Sequence, residues 1–157
     1  MSNEINKYIC FSLGQEKFAI PLLSVKEVIG VPEITPVPQT ANYFKGIMNL
    51  RGSVVTVMDL RTKLTITPGK NQETAVMILD LGDYNLGVVV DCINSVISLE
   101  EKDIEAKPMV ETSKAADAIR GVFKVETELI LLLDIAKALS VEDHRNLSKK
   151  ASSLAAA

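Results

Sequence analysis

The sequence of 157 residues is poor in the side chains that most enzymes and metal sites use. It contains one histidine, His144, and two cysteines, Cys10 and Cys92. A single histidine in a charged run is typical of a solvated helix position and excludes His-based zinc sites and a phosphotransfer domain. Each cysteine lies in an apolar run, unlike the disulfide framework of a small secreted domain. We expect no catalytic centre, no metal and no cofactor.

Two further absences limit the partners. The net charge is −3, and no window gathers Lys and Arg with interleaved aromatic residues. Because phosphate recognition needs a basic face, nucleic acid is not an expected partner. The longest aliphatic run, Leu129–Leu133, is far shorter than the roughly 20 residues that span a bilayer, and no secretory signal opens the chain. We expect a cytoplasmic protein with no direct membrane insertion.

The sequence does contain an internal repeat. Adding 75 to each position aligns Gly46–Leu64 with Gly121–Leu139, and adding 68 aligns Leu13–Ile20 with Leu81–Val88. Both matches occur in the same order along the chain, which indicates one β-rich unit used twice. Halves of about 65 residues bury too little surface to be stable alone, so we expect an apolar seam between them.

A tight corner, Asn49-Leu50-Arg51-Gly52, leads into the β-branched run Ser53–Met58. Gly52 permits a backbone conformation that other residues resist, and β-branched side chains suit a strand. Taken alone, Arg51 is best interpreted as a solvated turn arginine. Short helical turns are predicted at Ala41–Lys45 and Ala115–Arg120, and a C-terminal helix is predicted from Ser140 onward.

Asp59 and Asp134 follow the two long strands at equivalent positions of the repeat. Two carboxylates can perform general acid–base hydrolysis, but their matched positions favour a shared turn-capping role. A small hydrolase that uses this pair stays an alternative. A β-barrel binder of small ligands or oligonucleotides is another, and the acidic composition weighs against it.

Several segments together resemble the CheW family of chemotaxis coupling proteins. The most specific is Gly46-x-x-Asn49-Leu50-Arg51-Gly52 followed by Asp59-Leu60-Arg61, supported by Val25-Lys26-Glu27-Val28 and by Leu81-Gly82 with Gly87–Asp91. The resemblance extends from about Tyr8 to about Leu139. It implies an all-β fold of two SH3-like five-stranded β-barrels in tandem that share an apolar seam, with short helical turns and a C-terminal helix. The expected divisions are 1–65 for the first barrel, 66–139 for the second, and 140–157 for the C-terminal helix and tail.

The resemblance also implies a function. CheW-like proteins are non-catalytic adaptors that join the cytoplasmic domain of a chemoreceptor (a methyl-accepting chemotaxis protein) to the regulatory domain of the histidine kinase CheA. The expected location is cytoplasmic, with recruitment to membrane-associated receptor clusters. A CheW-like module of another CheA-type signalling pathway is the nearest alternative, and the apparent absence of a receiver segment favours a stand-alone adaptor.

Carried onto this sequence, the receptor-contact positions of the family are Val25, Glu27 and Arg51. The residue equivalent to Arg51 in the second half is Glu126, so the fold does not require arginine there. We predict that Glu27 orients the Arg51 guanidinium. The remaining site residues fall into two groups: Ile93 and Val96, which with Val25 would line an apolar groove between the halves, and Gly46, Asn49 and Gly52, which would shape the corner. For the three apolar residues, ordinary core packing is the competing interpretation, and the kinase-binding residues are unknown, with the first barrel as their expected location.

Overall fold

Strands dominate the described part of the chain, which confirms the all-β prediction. The computed structural model describes residues 6–38, 41–64, 66, 75–82, 84–105 and 118–139. None of the helices among these residues is long and apolar enough to cross a membrane. The elements are β1 (Asn6–Leu13), β2 (Glu16–Pro21), β3 (Val25–Gly30), β4 (Phe44–Leu50), β5 (Ser53–Asp59), α1 (Leu60–Lys63), β6 (Ala75–Asp80), β7 (Asn85–Val90), β8 (Cys92–Leu99), β9 (Ile119–Val125), β10 (Glu128–Leu133) and α2 (Ile135–Ala138).

The strand order confirms the internal repeat. One five-stranded sheet has the order β8-β1-β2-β10-β9, and the other has the order β3-β6-β7-β5-β4. The sequence offsets pair β1 with β6, β2 with β7, β3 with β8, β4 with β9 and β5 with β10. Replacing every strand of the first sheet by its counterpart gives the order of the second. We call the two units barrel A (β8, β1, β2, β10, β9) and barrel B (β3, β6, β7, β5, β4).

Strand pairing does not follow the division at residue 65. Barrel A combines the β1–β2 hairpin of the first half with three strands of the second half, and barrel B has the opposite composition. The chain passes from barrel A to barrel B through a 3₁₀ turn at Leu22–Ser24 and returns at Asp91, between β7 and β8. The expectation that each half forms its own barrel is therefore corrected, while the boundaries at 65 and 139 stay a prediction about the sequence repeat.

Each sheet is closed by a backbone bridge beyond its edge strand. In barrel B, Thr35 and Ile47 exchange N–H···O hydrogen bonds of 2.8 and 2.9 Å. In barrel A, Glu105 and Val122 exchange equivalent bonds of 2.7 and 2.9 Å. Ile47 and Val122 are 75 positions apart, so both halves close their sheet at the same point of the repeat. Closure pairs backbone N–H and C=O groups at the sheet edge, which could otherwise pair with another chain and lead to aggregation.

The buried apolar side chains of the described residues form three clusters. A small cluster fills each barrel, and its members correspond through the repeat: Tyr8, Cys10, Phe123, Ile130 and Leu132 in barrel A match Val76, Ile78, Met48, Val55 and Val57 in barrel B. A third, larger cluster combines side chains of both barrels, including Phe11, Phe18, Met58 and Met77. This cluster is the predicted apolar seam. Because strands such as β1 face a barrel interior on one side and the seam on the other, they lack polar alternation.

The two predicted helical turns overlap the starts of strands. A single turn forms in the first segment, where the Phe44 N–H donates to Ala41 O at 3.0 Å, and residues 115–117 of the second lie outside the described residues. β4 begins at Phe44, inside the segment 41–45, because Phe44 pairs with Met58 on β5. β9 likewise begins at Ile119, inside the segment 115–120. Among the described residues, α-helical turns follow Asp59 (α1) and Asp134 (α2). The predicted C-terminal helix and His144 lie outside the described residues.

Candidate functional site

The first-half corner is a two-residue hairpin turn. Leu50 and Ser53 form the last pair of β4 and β5, and the residues between them, Arg51 and Gly52, have φ angles of 49° and 88°. Two successive positive φ values are typical of the type I′ turn, whose twist matches that of the flanking strands. The Gly52 N–H donates to Asn49 Oδ1 at 2.9 Å. Asn49 and Gly52 thus shape the corner as predicted.

Gly46 does not lie in the corner and serves a different purpose. It sits at a bulge within β4 with φ of 143°, beside the backbone of Thr35. A Cβ atom built on Gly46 would lie 2.0 Å from the Thr35 carbonyl oxygen, a distance that no real side chain permits. The close backbone approach that shuts barrel B therefore requires glycine here. The corner-shaping role predicted for Gly46 is corrected accordingly.

The corner presents Arg51 to Glu27 on β3. Arg51 Nη1 donates to Glu27 Oε1 at 3.1 Å, and Arg51 Nη2 donates to Glu27 Oε2. This fork-to-carboxylate arrangement fixes the plane of the guanidinium. The contact confirms the prediction that Glu27 lies close enough to orient Arg51.

The Arg51–Glu27 pair lies at the surface, so solvent screens it. The Arg51 side chain is 70% exposed and that of Glu27 is 29% exposed. The hydrogen bond from Arg51 holds the pKa of the Glu27 carboxyl below its ordinary value, and the same bond raises the pKa of Arg51. Exposed ion pairs add little to folding stability. The consequence of the contact is orientation: a guanidinium of fixed direction, open to solvent.

The three apolar site residues lie on the edge strands of the two barrels. Val25 on β3 and Ile93 on β8 are counterparts in the repeat, and both are half-buried against the seam cluster. Val96, opposite Ile9 on β1, is 52% exposed. Residues that line a groove must be at least partly exposed, and none of these three is fully buried. A groove that contains all three stays a prediction.

Sequence reasoning missed a buried network centred on Arg61. Arg61 Nε and Nη2 donate to the two carboxylate oxygens of Asp59 at 3.0 and 3.2 Å, and Nη1 donates to Asp91 Oδ1 at 2.6 Å. The Gly14 N–H donates to the other Asp91 oxygen at 2.5 Å. The network therefore joins the end of β5 in barrel B to the β1–β2 turn in barrel A.

Burial and charge act in opposite directions on Asp59. Desolvation raises the pKa of its carboxyl, but the hydrogen bond and charge of Arg61 outweigh that effect and hold the pKa below its ordinary value. Asp59 raises the pKa of Arg61 in turn. The Asp59-x-Arg61 spacing is visible in the sequence, whereas Asp91 is 30 positions from Arg61 and is found only from the tertiary fold.

Asp59 and Asp134 are both turn caps, as the repeat predicted. Asp59 accepts a hydrogen bond from the Arg61 N–H at the start of α1, and Asp134 accepts one from the Lys137 N–H of α2. They end strands of different barrels, and Asp59 is already neutralised by Arg61. These assignments give a hydrolytic aspartate pair no support. The described residues also contain no group of three His, Cys, Asp or Glu side chains placed to hold a metal ion.

Comparison with known proteins identifies the family of this chain. The family model of the CheW-like domain matches residues 7–143. The chain belongs to the CheW-like domain family. Among relatives named chemotaxis protein CheW, that of Klebsiella aerogenes is 32% identical over 138 residues, covering 87% of this chain and 83% of the relative. That of Helicobacter pylori is 31% identical over 140 residues, covering 88% and 84% respectively.

A solved CheW structure has the same fold. The crystal structure of the scaffolding protein TtCheW from Thermoanaerobacter tengcongensis superposes with a TM-score of 0.75 at 30% identity. The match covers 82% of this chain and 88% of TtCheW. The tandem SH3-like barrels of the CheW-like family are therefore the fold of this chain, and the relatives carry the names of chemotaxis and scaffolding proteins rather than of enzymes.

Proposed function

We propose that this chain is a non-catalytic chemotaxis adaptor that couples the cytoplasmic tip of a chemoreceptor to the regulatory domain of the histidine kinase CheA. It acts in the cytoplasm, at clusters of membrane-bound receptors. Membership of the CheW-like family supports the adaptor role. The observation that carries the receptor assignment is the Arg51–Glu27 pair, exposed on a turn whose geometry does not depend on arginine.

The corner is suited to contact a partner because its cation is oriented and still has donors available. A guanidinium has five N–H donors, and the hydrogen bonds to Glu27 use one on Nη1 and one on Nη2. Three donors are left to meet a carboxylate or carbonyl oxygen of a receptor helix. Charge-assisted contacts from a pre-oriented guanidinium lose little further side-chain freedom on binding.

Apolar contacts would supply the rest of the receptor surface. Val25 shares strand β3 with Glu27 and is partly exposed, and Val96 on β8 is about half exposed to solvent. A receptor helix could lay an apolar stripe against Val25, Ile93 and Val96, with Arg51 at the edge of the contact. Binding a kinase domain at a second surface would raise the effective concentration of the two partners in an array.

Coupling, as distinct from scaffolding, needs an energetic difference. The receptor state must change the affinity or geometry at the kinase surface, because a ligand shifts an equilibrium only by its differential affinity for the two states. We propose that the kinase surface lies mainly on the first half of the chain, away from Arg51. The buried Arg61 network, which fastens barrel B to barrel A, provides the stiffness that such transmission would use.

The test is a binding titration of wild type and Arg51→Ala against a receptor cytoplasmic fragment and, separately, against the CheA regulatory domain. We expect Arg51→Ala to weaken receptor binding by about 30-fold or more, the size of a hot-spot truncation, and to leave kinase binding unchanged. Lys102→Ala is the matched control, since Lys102 is also exposed and also pairs with a carboxylate, Glu100, at 3.1 Å.

The outcomes separate the parts of the proposal. If the control weakens receptor binding as much as Arg51→Ala, the effect is one of general charge and the corner is not a specific contact. If wild type binds neither partner, the adaptor assignment itself fails. Binding to a different CheA-type kinase with no affinity for chemoreceptors would favour the alternative of another signalling pathway.

A further inference from the structure

A cavity of about 350 Å³ lies where barrel A and α2 meet the end of β6 in barrel B. It is among the smaller volumes that hold ligands in proteins. Its polar lining consists of Asp80, Asp134, Arg120 and Ser24, and its apolar lining includes Leu79 and Leu133. None of the five predicted receptor-contact residues lines it, so it is separate from the corner.

The repeat shows what occupies the same place in the other half. Asp134 is the counterpart of Asp59, and the match holds for the backbone: the Asp59 N–H donates to Tyr43 O and the Asp134 N–H donates to Ala118 O, both at 2.7 Å. Next to Asp59, the Arg61 guanidinium fills the space and binds both carboxylate oxygens. The counterpart of Arg61 is Ala136, which lines the cavity.

The surroundings of Asp59 contain one cation more than the cavity around Asp134. Around Asp59 the chain supplies Lys45, at 4.0 Å from the carboxylate, and Arg61, against the carboxylates of Asp59 and Asp91. The counterpart of Lys45 is Arg120, which is still present at the cavity. The cavity therefore has one cation, Arg120, for two carboxylates. Compared with the Asp59 site, the cavity lacks one guanidinium.

A large apolar side chain stands beside the cavity. Leu23 lies between two lining residues, Pro21 and Ser24, and is 99% exposed. Its counterpart in the repeat is Asp91, the second carboxylate of the Arg61 network. Leu23 therefore offers an apolar surface beside the cavity that a partner's side chain can contact.

We propose that this cavity is a docking site for an arginine side chain of a protein partner, with Asp134 as the carboxylate that receives the guanidinium. A neighbouring apolar residue of the partner packs on Leu23. The docked arginine reproduces in trans the contact that Arg61 makes with Asp59 within the chain. This inference rests on the repeat and stands whether or not the corner binds receptors.

The first test needs no partner. Ala136→Arg supplies the missing guanidinium from within the chain, and we expect it to raise the melting temperature by about 2–4 °C, the shift that one favourable pair gives a protein of this size. Ala136→Met fills the space without the charge and should give no such rise. In an Asp134→Asn background, which keeps a capping oxygen, the gain from Ala136→Arg should disappear. A gain that survives Asp134→Asn, or no gain at all, overturns the assignment of Asp134 as guanidinium acceptor.

The second test measures docking with defined probes. Acetyl-Leu-Arg-Leu-amide added to ¹⁵N-labelled protein should shift the amide signals of Leu81, Asp134 and Ala136, and the lysine version of the peptide should bind several-fold more weakly. Ala136→Arg should abolish the shifts. Leu23→Ser should weaken the peptide but not methylguanidinium. Equal binding of the arginine and lysine peptides, or shifts that persist in Ala136→Arg, would contradict the proposal, and an unchanged affinity in Leu23→Ser would reduce the site to a small-molecule guanidinium pocket.

Discussion

The two hairpin corners of this protein share a positive φ at their first position, where they carry side chains of opposite charge. Arg51 has φ of 49° and its counterpart Glu126 has φ of 57°, each at the first position of a two-residue turn. The left-handed conformation is therefore a requirement of the repeated fold, and the arginine is not. Only the first corner adds an asparagine brace and a partner for the guanidinium. The difference indicates that Arg51 is present for a purpose other than folding.

The ends of β5 and β10 also share a structural feature and differ in one side chain, here at partly buried positions. Asp59 and Asp134 both cap a helical turn, which the fold requires twice. Arg61 is present once, and there it connects the two barrels through Asp91. At the other end the space is a cavity. Features common to both halves build the barrels, and features found in one half only are candidates for assembly and binding.

Separating the halves is expected to have the largest effect. Fragments 1–68 and 69–157, expressed alone, would each lack the hairpin that their barrel takes from the other half. We expect both to be largely unfolded by far-ultraviolet circular dichroism and by amide chemical-shift dispersion, and to regain the native spectrum when mixed. A fragment that gives a dispersed, cooperatively melting spectrum by itself would contradict the exchanged pairing and restore the picture of one barrel per half.

Arg61→Met is expected to be the most destabilising single change. It leaves two buried carboxylates without their cation, a loss of about 3–5 kcal/mol for a broken buried pair. Urea denaturation measures it. Lys137→Met, an exposed cation of the α2 turn, is the control and should stay within about 0.5 kcal/mol of wild type. If the two variants unfold at the same urea concentration, the Arg61 network does not hold the barrels together.

Acid denaturation is a second test of the Arg61 network. The pKa of the Asp59 carboxyl is lower in the folded than in the unfolded protein. Its ionisation therefore adds to the free energy of unfolding in full above the unfolded-state pKa of about 3.9, and this stabilisation is lost as the pH falls through the folded-state pKa. We expect the stability of wild type to fall steeply below about pH 4 and that of Asp59→Asn to fall less steeply. Identical slopes would mean that Asp59 titrates alike in the folded and unfolded states.

Glycine-to-alanine substitutions at the two closure points should differ in size. Alanine at Gly46 would place its Cβ 2.0 Å from the Thr35 carbonyl oxygen with φ of 143°, so we expect a loss of about 3 kcal/mol or more. At Gly121 the Cβ would lie 2.6 Å from Ile104 Cγ2 and 2.9 Å from the Glu105 carbonyl oxygen, but the φ of Gly121 is not positive, so the loss should be smaller than at Gly46. Gly30→Ala meets nothing within 4 Å and serves as the control in thermal melts. Equal losses at Gly46 and Gly121 would contradict the tighter closure of barrel B.

Much of this structure could be predicted from the sequence because the repeat records what both barrels need. The Asp59 and Asp134 caps and the seam follow from matched positions. The corner glycine Gly52, whose counterpart is Thr127, follows instead from its own turn pattern. The repeat does not predict whether a hairpin such as β1–β2 pairs with strands of its own half or of the other half, since both arrangements fit the same strand pattern. That choice is made where the chain crosses between barrels, at Leu22–Ser24 and Asp91.

The candidate site was predicted in part for a similar reason. The Glu27–Arg51 contact joins residues of one family motif set, and the structure brings them together. The partners of Gly46 and Arg61 depend on segments that are distant in sequence, Thr35 and Asp91, whose positions are set by barrel closure and by the crossover. Local patterns carry no information about such contacts.

The central claim is that Arg51 contacts a partner and is not needed for folding. Receptor binding by an Arg51→Glu variant tests this claim most directly. Glu126 shows that a glutamate tolerates the positive φ of the first turn position, so we expect the melting temperature to stay within a few degrees of wild type. The introduced carboxylate faces Glu27 and reverses the charge shown to the partner, so binding of the receptor fragment should be lost while binding of the CheA regulatory domain persists. Unchanged receptor affinity, or loss of the fold together with binding, would contradict the account.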